Sequence, residues 1–213
     1  MTTQINVKAH VGSQFSQVTV PIPTLRYLDS FIRLNKSAKD MLGLEVFPNA
    51  KEITESYAAH QAVFHKLGIS HEFLKRLNPV IVVVGDGCTP RTGVTFAFKS
   101  PFQVESLDPN NRWINDGRVD RLNVHTKTLQ QYVDSGLADF DRPVILVGVH
   151  SHVPEKELMN FHNVVGNKLF AIVEIPCCFP QQYIKAFGEP TKEYIDWGIH
   201  SEKRTVRIWK FKK

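Results

Sequence analysis

The stretch VIVVVGDGCTPRTG, residues 80–93, decides the fold of this chain. Its first five residues form a continuous apolar run rich in β-branched side chains, which is typical of a parallel strand buried on both faces. Gly85, Gly87 and Gly93 follow directly. Because glycine has no Cβ, it tolerates a positive φ and lets the backbone approach another group closely. The stretch therefore predicts a strand, then a glycine-bearing turn, then a helix over residues 94–99.

Downstream of this stretch, strand-like and helix-like segments alternate. Strands are predicted at residues 102–107, 121–124, 143–149 and 169–175, and Leu158, Phe161 and Val165 mark a helix between the last two. Residues 194–199 and 205–211 flank a polar turn and predict an antiparallel hairpin. Alternation of this kind implies a parallel sheet with helices on both faces. We therefore predict an α/β, Rossmann-like sheet of parallel strands closed by a terminal antiparallel hairpin.

The pattern of apolar and polar residues in 1–77 differs from that in the rest of the chain. Residues 1–20 are expected to form an extended arm or an edge strand, and a helical pattern then runs from Pro23 to about Leu77. We therefore divide the chain into an N-terminal arm with a helical extension, residues 1–77, and a Rossmann-like domain, residues 78–213. The helical signals are Leu25, Leu28 and Ile32 on one face, Asn49 and Glu52 as an N-cap pair, Gly68 as a left-handed cap, and a short helix at 71–77.

The composition is that of a globular protein. Of the 213 residues, 42% are hydrophobic and 22% are charged, and no apolar run reaches the roughly 18 residues that a membrane span needs. Two of the three cysteines, Cys88, Cys177 and Cys178, are adjacent, which is a poor basis for a disulfide framework. We therefore expect a reducing, cytoplasmic setting, with no membrane partner.

The formal net charge of +5 mildly favours an anionic partner such as RNA. Much of the excess lies near the C-terminus, at Lys203, Arg204, Arg207, Lys210, Lys212 and Lys213. Two explanations stay open. The charges protect a solvated edge strand from pairing with another sheet, or they form a surface that binds nucleic acid. A protein partner that binds the N-terminal helices is a further expectation.

The turn after the first strand is the first candidate for ligand binding. Its spacing differs from the dinucleotide pattern G-x-G-x-x-G, because five residues separate Gly87 from Gly93. We expect Gly85, Asp86, Gly87 and Gly93 to bind a ligand, since ligands lie at the carboxyl ends of strands in such sheets. Asp108, at the end of the second strand, is placed to accept both hydroxyls of a ribose. A purely structural turn and a turn-capping Asp are the alternatives.

A second candidate group follows the last two parallel strands. His150-Ser151-His152 and Cys177-Cys178 should meet at the carboxyl edge of the sheet, since their strands are expected to be neighbours. Histidine and cysteine suit zinc, but the Cys-x-x-Cys spacing of structural sites is absent, and we expect no metal. A nucleophilic Cys–His pair and simple packing of the cysteines as small apolar side chains remain the alternatives.

These two motifs resemble the paired LHxCG and PCC motifs of a methyltransferase domain family that includes the glutathione S-transferase C-terminal-domain-containing proteins. His152 stands where that family has cysteine. The resemblance implies a class I methyltransferase sheet and S-adenosylmethionine as the cofactor. It implies that Gly85, Gly87 and Asp108 contact the cofactor. It also implies that His150 and Cys177 border the methyl-transfer pocket, and we predict His150, His152 and Cys177 as the catalytic residues.

The chain is thus predicted to be an S-adenosylmethionine-dependent methyltransferase that acts on RNA or protein. It lacks the acidic-Pro-Pro-aromatic motif that adenine amino-methyltransferases share after the fourth strand, and the Pro-Cys nucleophile that cytosine C5 enzymes carry there. Trp113 and Trp197 could stack on a base, although core packing is as plausible a role. The alternatives are a catalytically lapsed binding or scaffold protein with this fold, and an enzyme that cleaves the same cofactor.

Overall fold

A computed structural model describes residues 4–11, 14–33, 35–177 and 181–211, with side chains from residue 25 onward, apart from those of residues 35 and 36. Cys178, Lys212, Lys213 and part of the predicted N-terminal arm lie outside the described residues. The strands are β1 (Gln4–Val11), β2 (Gln14–Pro21), β3 (Val80–Val84), β4 (Val104–Leu107), β5 (Leu122–His125), β6 (Val144–Val149), β7 (Leu169–Ile175), β8 (Lys192–Ile195) and β9 (Thr205–Lys210). The helices are α1 (Ile22–Arg33), α2 (Asn35–Gly43), α3 (Ala50–Gln61), α4 (His71–Leu77), α5 (Arg91–Lys99), α6 (Leu129–Asp134), α7 (Glu155–Val165) and α8 (Gln182–Phe187).

The predicted α/β class is confirmed. Seven strands form one sheet in the order β5-β4-β3-β6-β7-β9-β8. The first five of these are parallel, and β9 pairs antiparallel with both β7 and β8. The order reverses at β3, whose neighbours are β4 and β6, and this reversal opens a crevice at the carboxyl ends of the strands.

Helices cover both faces of the sheet, as the alternating pattern predicts. Helices α1 to α5 pack on one face and share a core with the inward side chains of the strands, among them Ile81 and Val83. Helices α6, α7 and α8 pack on the other face, against Val82 and Leu146. Both faces of β3 are therefore buried, which explains its continuous apolar run. No helix in the described part of the chain has the length and apolar character to cross a bilayer.

Asn49 and Gly68 cap their helices as predicted, whereas Glu52, predicted as the reciprocal partner of Asn49, pairs with Arg91 instead. The Asn49 side chain accepts a hydrogen bond from the Glu52 amide at 3.2 Å, at the start of α3. The Glu52 carboxylate contacts Arg91 at 3.0 Å. Gly68 adopts φ +68° after a π-helical turn, Ala62–Lys66, that extends α3. The N-terminal strands β1 and β2 pair with each other as a two-stranded antiparallel sheet.

The buried face of α1 was predicted wrongly. The expected face is not the buried one, since Ile32 is 66% exposed and Leu25 and Leu28 are only partly buried. Tyr27 and Phe31, four residues apart, enter the core instead, and both rings contact Tyr57 of α3. Two aromatic rings bury more apolar surface than the aliphatic residues of the competing face.

The hairpin also differs from its prediction. Its first strand ends at Ile195, and residues 196–204 form the connecting loop. The interpretation of β9 as a charged edge strand is wrong, since β9 lies between β7 and β8. Arg207 on β9 is 9% exposed and contacts Glu174 and Glu193. No helix joins β4 to β5, so one of the predicted strand–helix units is a loop.

Candidate functional site

A cavity of about 840 Å³ lies at the carboxyl ends of β3, β4, β6 and β7. The residues after these strands form its floor: Gly85 and Gly87, Asp108, His150, and Cys177. Other segments form walls, among them the first half of α3, residues 127–129, the start of α7, and residues 200–203 of the loop 196–204. The cavity therefore occupies the place where open parallel sheets bind ligands, the crevice at the reversal of strand order.

The turn after β3 needs glycine for two separate reasons. Gly85 has φ +68° and Gly87 has φ +85°, a region that side chains with a Cβ rarely adopt. A Cβ on Gly85 would stand 2.8 Å from Ser151 Oγ and 3.0 Å from Ser151 Cα, in the loop after β6. A Cβ on Gly87 would collide with the Arg91 side chain. The turn therefore contributes backbone, and no side chain, to the cavity floor at Gly85 and Gly87.

Asp86 is buried inside the same turn. Its carboxylate accepts hydrogen bonds from the amides of Thr92 and Gly93, at 2.9 and 2.8 Å, and from Ser106 Oγ at 2.8 Å. Burial raises the pKa of this carboxyl, although the three donors counteract part of the effect. The carboxylate thus fixes the start of α5 to β4, and its oxygens face protein donors.

Gly93 lies in the first turn of α5, outside the cavity wall. A Cβ there would stand 2.9 Å from Ser106 Cβ and 3.1 Å from a Leu122 methyl carbon. The glycine therefore allows α5 to pack closely on β4 and β5. Of the four turn residues predicted to bind ligand, Gly85, Asp86 and Gly87 line the cavity, where the Gly85 amide donates to the Leu107 carbonyl and the Gly87 amide to the Asp108 carboxylate.

Asp108 lies at the end of β4, opposite the glycine turn. Its Oδ2 accepts from the Gly87 amide at 2.8 Å, and its Oδ1 accepts from the Asn110 amide at 2.7 Å. An ionised carboxylate offers about four lone-pair positions. Two are used by these amides, so acceptor capacity remains on a carboxylate that is held rigidly at the cavity. That geometry suits a diol such as the two hydroxyls of a ribose.

Both ring nitrogens of His150 contact oxygen atoms of the protein. Its Nε2 lies 2.7 Å from Glu55 Oε1 and its Nδ1 lies 3.2 Å from the Pro176 carbonyl oxygen. Its backbone has φ +51°, which is uncommon for a residue with a side chain. Since both ring nitrogens face acceptor oxygens, neither is placed to take a proton from a bound acceptor. His150 borders the cavity as a wall residue.

The partner of His150 is a buried glutamate on α3. Glu55 is 0% exposed, and Lys51 Nζ lies 3.6 Å from the same Oε1 that His150 contacts. Burial by itself would raise the pKa of Glu55, but the hydrogen bond and the charge of His150, aided by Lys51, lower it below its usual value. The pair joins α3 to the carboxyl edge of the sheet.

His152 and Cys177 also line the cavity, His152 exposed and Cys177 half-buried. The sheet thus brings His150, His152 and Cys177 to one edge, as the sequence predicts, because β6 and β7 are neighbours with Val149 paired to Ile175. Within the described ranges, no group of three His, Cys, Asp or Glu side chains is arranged to hold a metal ion. Cys178 lies outside those ranges.

Sequence reasoning missed two of the segments that wall the cavity. Lys51, Glu52 and Ser56 come from α3, and residues 200–203 come from the loop between β8 and β9. The loop is fixed to α3 by the His200 amide, which donates to Thr54 Oγ1 at 3.0 Å. This contact joins residues 146 positions apart, so no local signal in the sequence reports it.

No protein-family model and no curated protein matches the chain. The chain is similar to solved structures at low identity. One is a crystal structure of MtNAS in complex with MTA and tNA, with 15% identity and a TM-score of 0.46 over 87% of this chain and 75% of that one. A mutant of MtNAS in complex with S-adenosylmethionine has 14% identity and a TM-score of 0.45, over 87% and 77% of the two chains. Monomeric WbdD has 12% identity and a TM-score of 0.42, over 77% and 41%.

Proposed function

We propose that the chain binds S-adenosylmethionine in the cavity and transfers its methyl group to a nucleophilic acceptor. The observation that carries this proposal is the pairing of Asp108 with the glycine turn. A rigid carboxylate faces a floor of bare backbone at the reversal of strand order, where parallel sheets bind nucleotide-like ligands. The cavity volume of about 840 Å³ lies in the range, roughly 300–1,000 Å³, that small-molecule sites occupy.

The residues present fit the adenosyl group. Gly85 and Gly87 line the cavity with backbone alone, and a Cβ on either would collide with Ser151 or Arg91, so the turn can present only glycine backbone to a ligand there. Asp108 supplies the acceptor oxygens that ribose hydroxyls need. Leu107 and Leu129 add apolar surface to the same wall, suited to the faces of an adenine ring.

When bound, S-adenosylmethionine supplies a methyl carbon whose bond to the positive sulfur breaks as the acceptor atom bonds to it, the electron pair passing to sulfur. The chain's own contribution is alignment. The α3 wall, held by the Glu55–His150 contact, and the loop 196–204 fix the space that the acceptor enters. Holding two reactants in line is worth several kcal/mol of barrier. His152, at the cavity wall, is the side chain proposed to take a proton where the acceptor must lose one.

A binding test of the cofactor is isothermal titration calorimetry with S-adenosylmethionine and S-adenosylhomocysteine. Wild type is expected to bind both, and Asp108→Ala is expected to weaken binding at least tenfold, because a hydrogen bond to a charged group contributes about 1.5–3 kcal/mol. Asp120→Ala, an exposed aspartate in the loop after β4, is the matched control and should bind as wild type does. Absence of binding by folded wild type would refute the proposal.

A catalytically lapsed binding protein is the second candidate. It is favoured by the geometry of His150, whose ring nitrogens both face protein acceptors rather than the cavity. The two candidates differ in product formation. Transfer of a radioactive methyl group to a cellular RNA or protein, lost in Asp108→Ala, would support the enzyme and exclude the lapsed protein.

A further inference from the structure

We propose that the rim of the cavity binds single-stranded nucleic acid, with one base stacked on Trp197. Trp197 lies in the loop 196–204 and is 56% exposed. The other two tryptophans serve the fold: Trp209 Nε1 donates to the Gly188 carbonyl at 2.8 Å, and Trp113 Nε1 donates to the Leu44 carbonyl at 3.3 Å. Among the described residues, the Trp197 indole N–H has no hydrogen-bond partner. Its surface is thus left for a ligand.

The exposure of Trp197 comes from a loop that is firmly held. The buried Asp196 carboxylate accepts from Tyr27 Oη at 2.5 Å and from the Gly198 amide at 2.8 Å, and it also contacts Arg26. The Asp196 amide donates to the Arg204 carbonyl at 2.8 Å across the loop. Ile199 is fully buried in the core. A ring presented on so fixed a loop loses little conformational entropy when it binds.

One cation lies against the exposed ring. The Arg204 guanidinium lies over the Trp197 ring, 5.4 Å from its centroid, while the residue stays 56% exposed. Lys203 is exposed at the cavity wall. Neither cation forms an ion pair within the part of the chain that the structure describes. An aromatic platform beside unpaired cations is the arrangement that binds single strands, by stacking on bases and attraction to phosphates.

Trp197 precedes by three residues the part of the same loop, residues 200–203, that lines the cavity. In the proposed complex, a strand whose base stacks on Trp197 therefore directs a neighbouring nucleotide toward the cavity mouth. A cavity of about 840 Å³ has room for a nucleoside and one further base, since single small ligands occupy sites from roughly 300 Å³ upward. The role of the neighbouring base as methyl acceptor rests on the proposed function. The binding of a strand at Trp197 is independent of it.

The test is fluorescence anisotropy with labelled single-stranded RNA and DNA ten-mers of mixed sequence, without cofactor. Wild type is expected to bind at least one of them, and Trp197→Ala should weaken that binding about tenfold or more, with Trp197→Phe retaining most of it. The matched control is Ile195→Ala, because Ile195 has the same 56% exposure two residues away but no ring. Arg204→Ala should weaken binding and flatten its salt dependence, while Arg142→Ala, before β6, should not.

Four outcomes would overturn the proposal. Wild type could bind neither ten-mer, Trp197→Ala could bind as wild type does, or a duplex could bind as well as the single strands. Equal losses in Trp197→Ala and Ile195→Ala would also contradict it, since they would indicate an apolar surface for a protein. Calorimetry with S-adenosylmethionine separates the two proposals: Trp197→Ala should leave cofactor affinity unchanged, and strand binding without cofactor binding would refute only the proposed function.

Discussion

Replacing Gly85 by alanine tests whether the turn after β3 depends on close backbone approach. Two costs add. An alanine at φ +68° costs about 1–2 kcal/mol. Its Cβ would also stand 2.8 Å from Ser151 Oγ and 3.0 Å from Ser151 Cα, so the loops after β3 and β6 must separate by several tenths of an ångström. Such overpacking costs about 1–3 kcal/mol. We therefore expect Gly85→Ala to lower the free energy of unfolding by about 2–5 kcal/mol.

The measurement is equilibrium unfolding in urea, followed by circular dichroism and extrapolated to water. Gly136→Ala is the matched control. Gly136 also has a positive φ, +73°, but a Cβ there would meet nothing within 4 Å, so only the conformational cost of about 1–2 kcal/mol applies. Equal losses in the two variants would show that contact with Ser151 does not constrain the turn, and the account of the cavity floor would fail.

Three further predictions concern buried carboxylates. Burial raises the pKa of Glu174 to about 7 from the usual 4.5, so its stabilising contribution is complete below about pH 4.5 and is lost as the pH rises through 7. Between pH 4.5 and pH 7, wild type should therefore lose about 3 kcal/mol of unfolding free energy relative to Glu174→Gln. Urea unfolding at several pH values measures this, and free energies that change with pH in parallel for the two proteins would contradict it. Glu55→Ala removes the partner of His150 and should cost about 3 kcal/mol in urea unfolding, whereas the exposed Glu202→Ala should stay within about 0.5 kcal/mol; similar values for both would refute the pairing. Asp86→Asn replaces one carboxylate oxygen by an amide N–H, which cannot accept a hydrogen bond from the protein donors around it. We expect the free energy of unfolding to fall by about 2–3 kcal/mol and the melting temperature to fall with it. An unchanged melting temperature would contradict the hydrogen-bond assignment.

Much of the fold follows from local sequence patterns. The β-branched run at 80–84 predicts a central strand because only a strand buried on both faces tolerates such continuous apolar surface. Asn49 predicts the start of α3 because its side chain can satisfy an amide at the helix terminus. The sites at the strand ends were predictable as well, since parallel strands bring their carboxyl ends to one edge, and Gly85, Asp108 and Cys177 meet there.

Other features were decided only by tertiary packing. The helical period allows either face of α1 to enter the core. Packing decides between them, because the rings of Tyr27 and Phe31 are the ones buried among the core side chains. The insertion of β9 between β7 and β8 depends on pairing between strands distant along the chain. The contact between Glu55 and His150 joins residues 95 positions apart, and it directs the His150 Nε2 atom to a protein carboxylate although the ring lines the cavity.

By itself, therefore, the sequence determined the α/β class, the central strand and the candidate residues at its carboxyl end. These depend on periodicity and on the conformational freedom of glycine, which are properties of short segments. The tertiary structure alone decided which of those side chains face the cavity and which are bound by the protein itself. It also placed α3 and residues 200–203 as walls of the cavity, and left Trp197 of the same loop exposed. Orientation and enclosure are products of packing between distant segments, and a linear pattern carries no information about them.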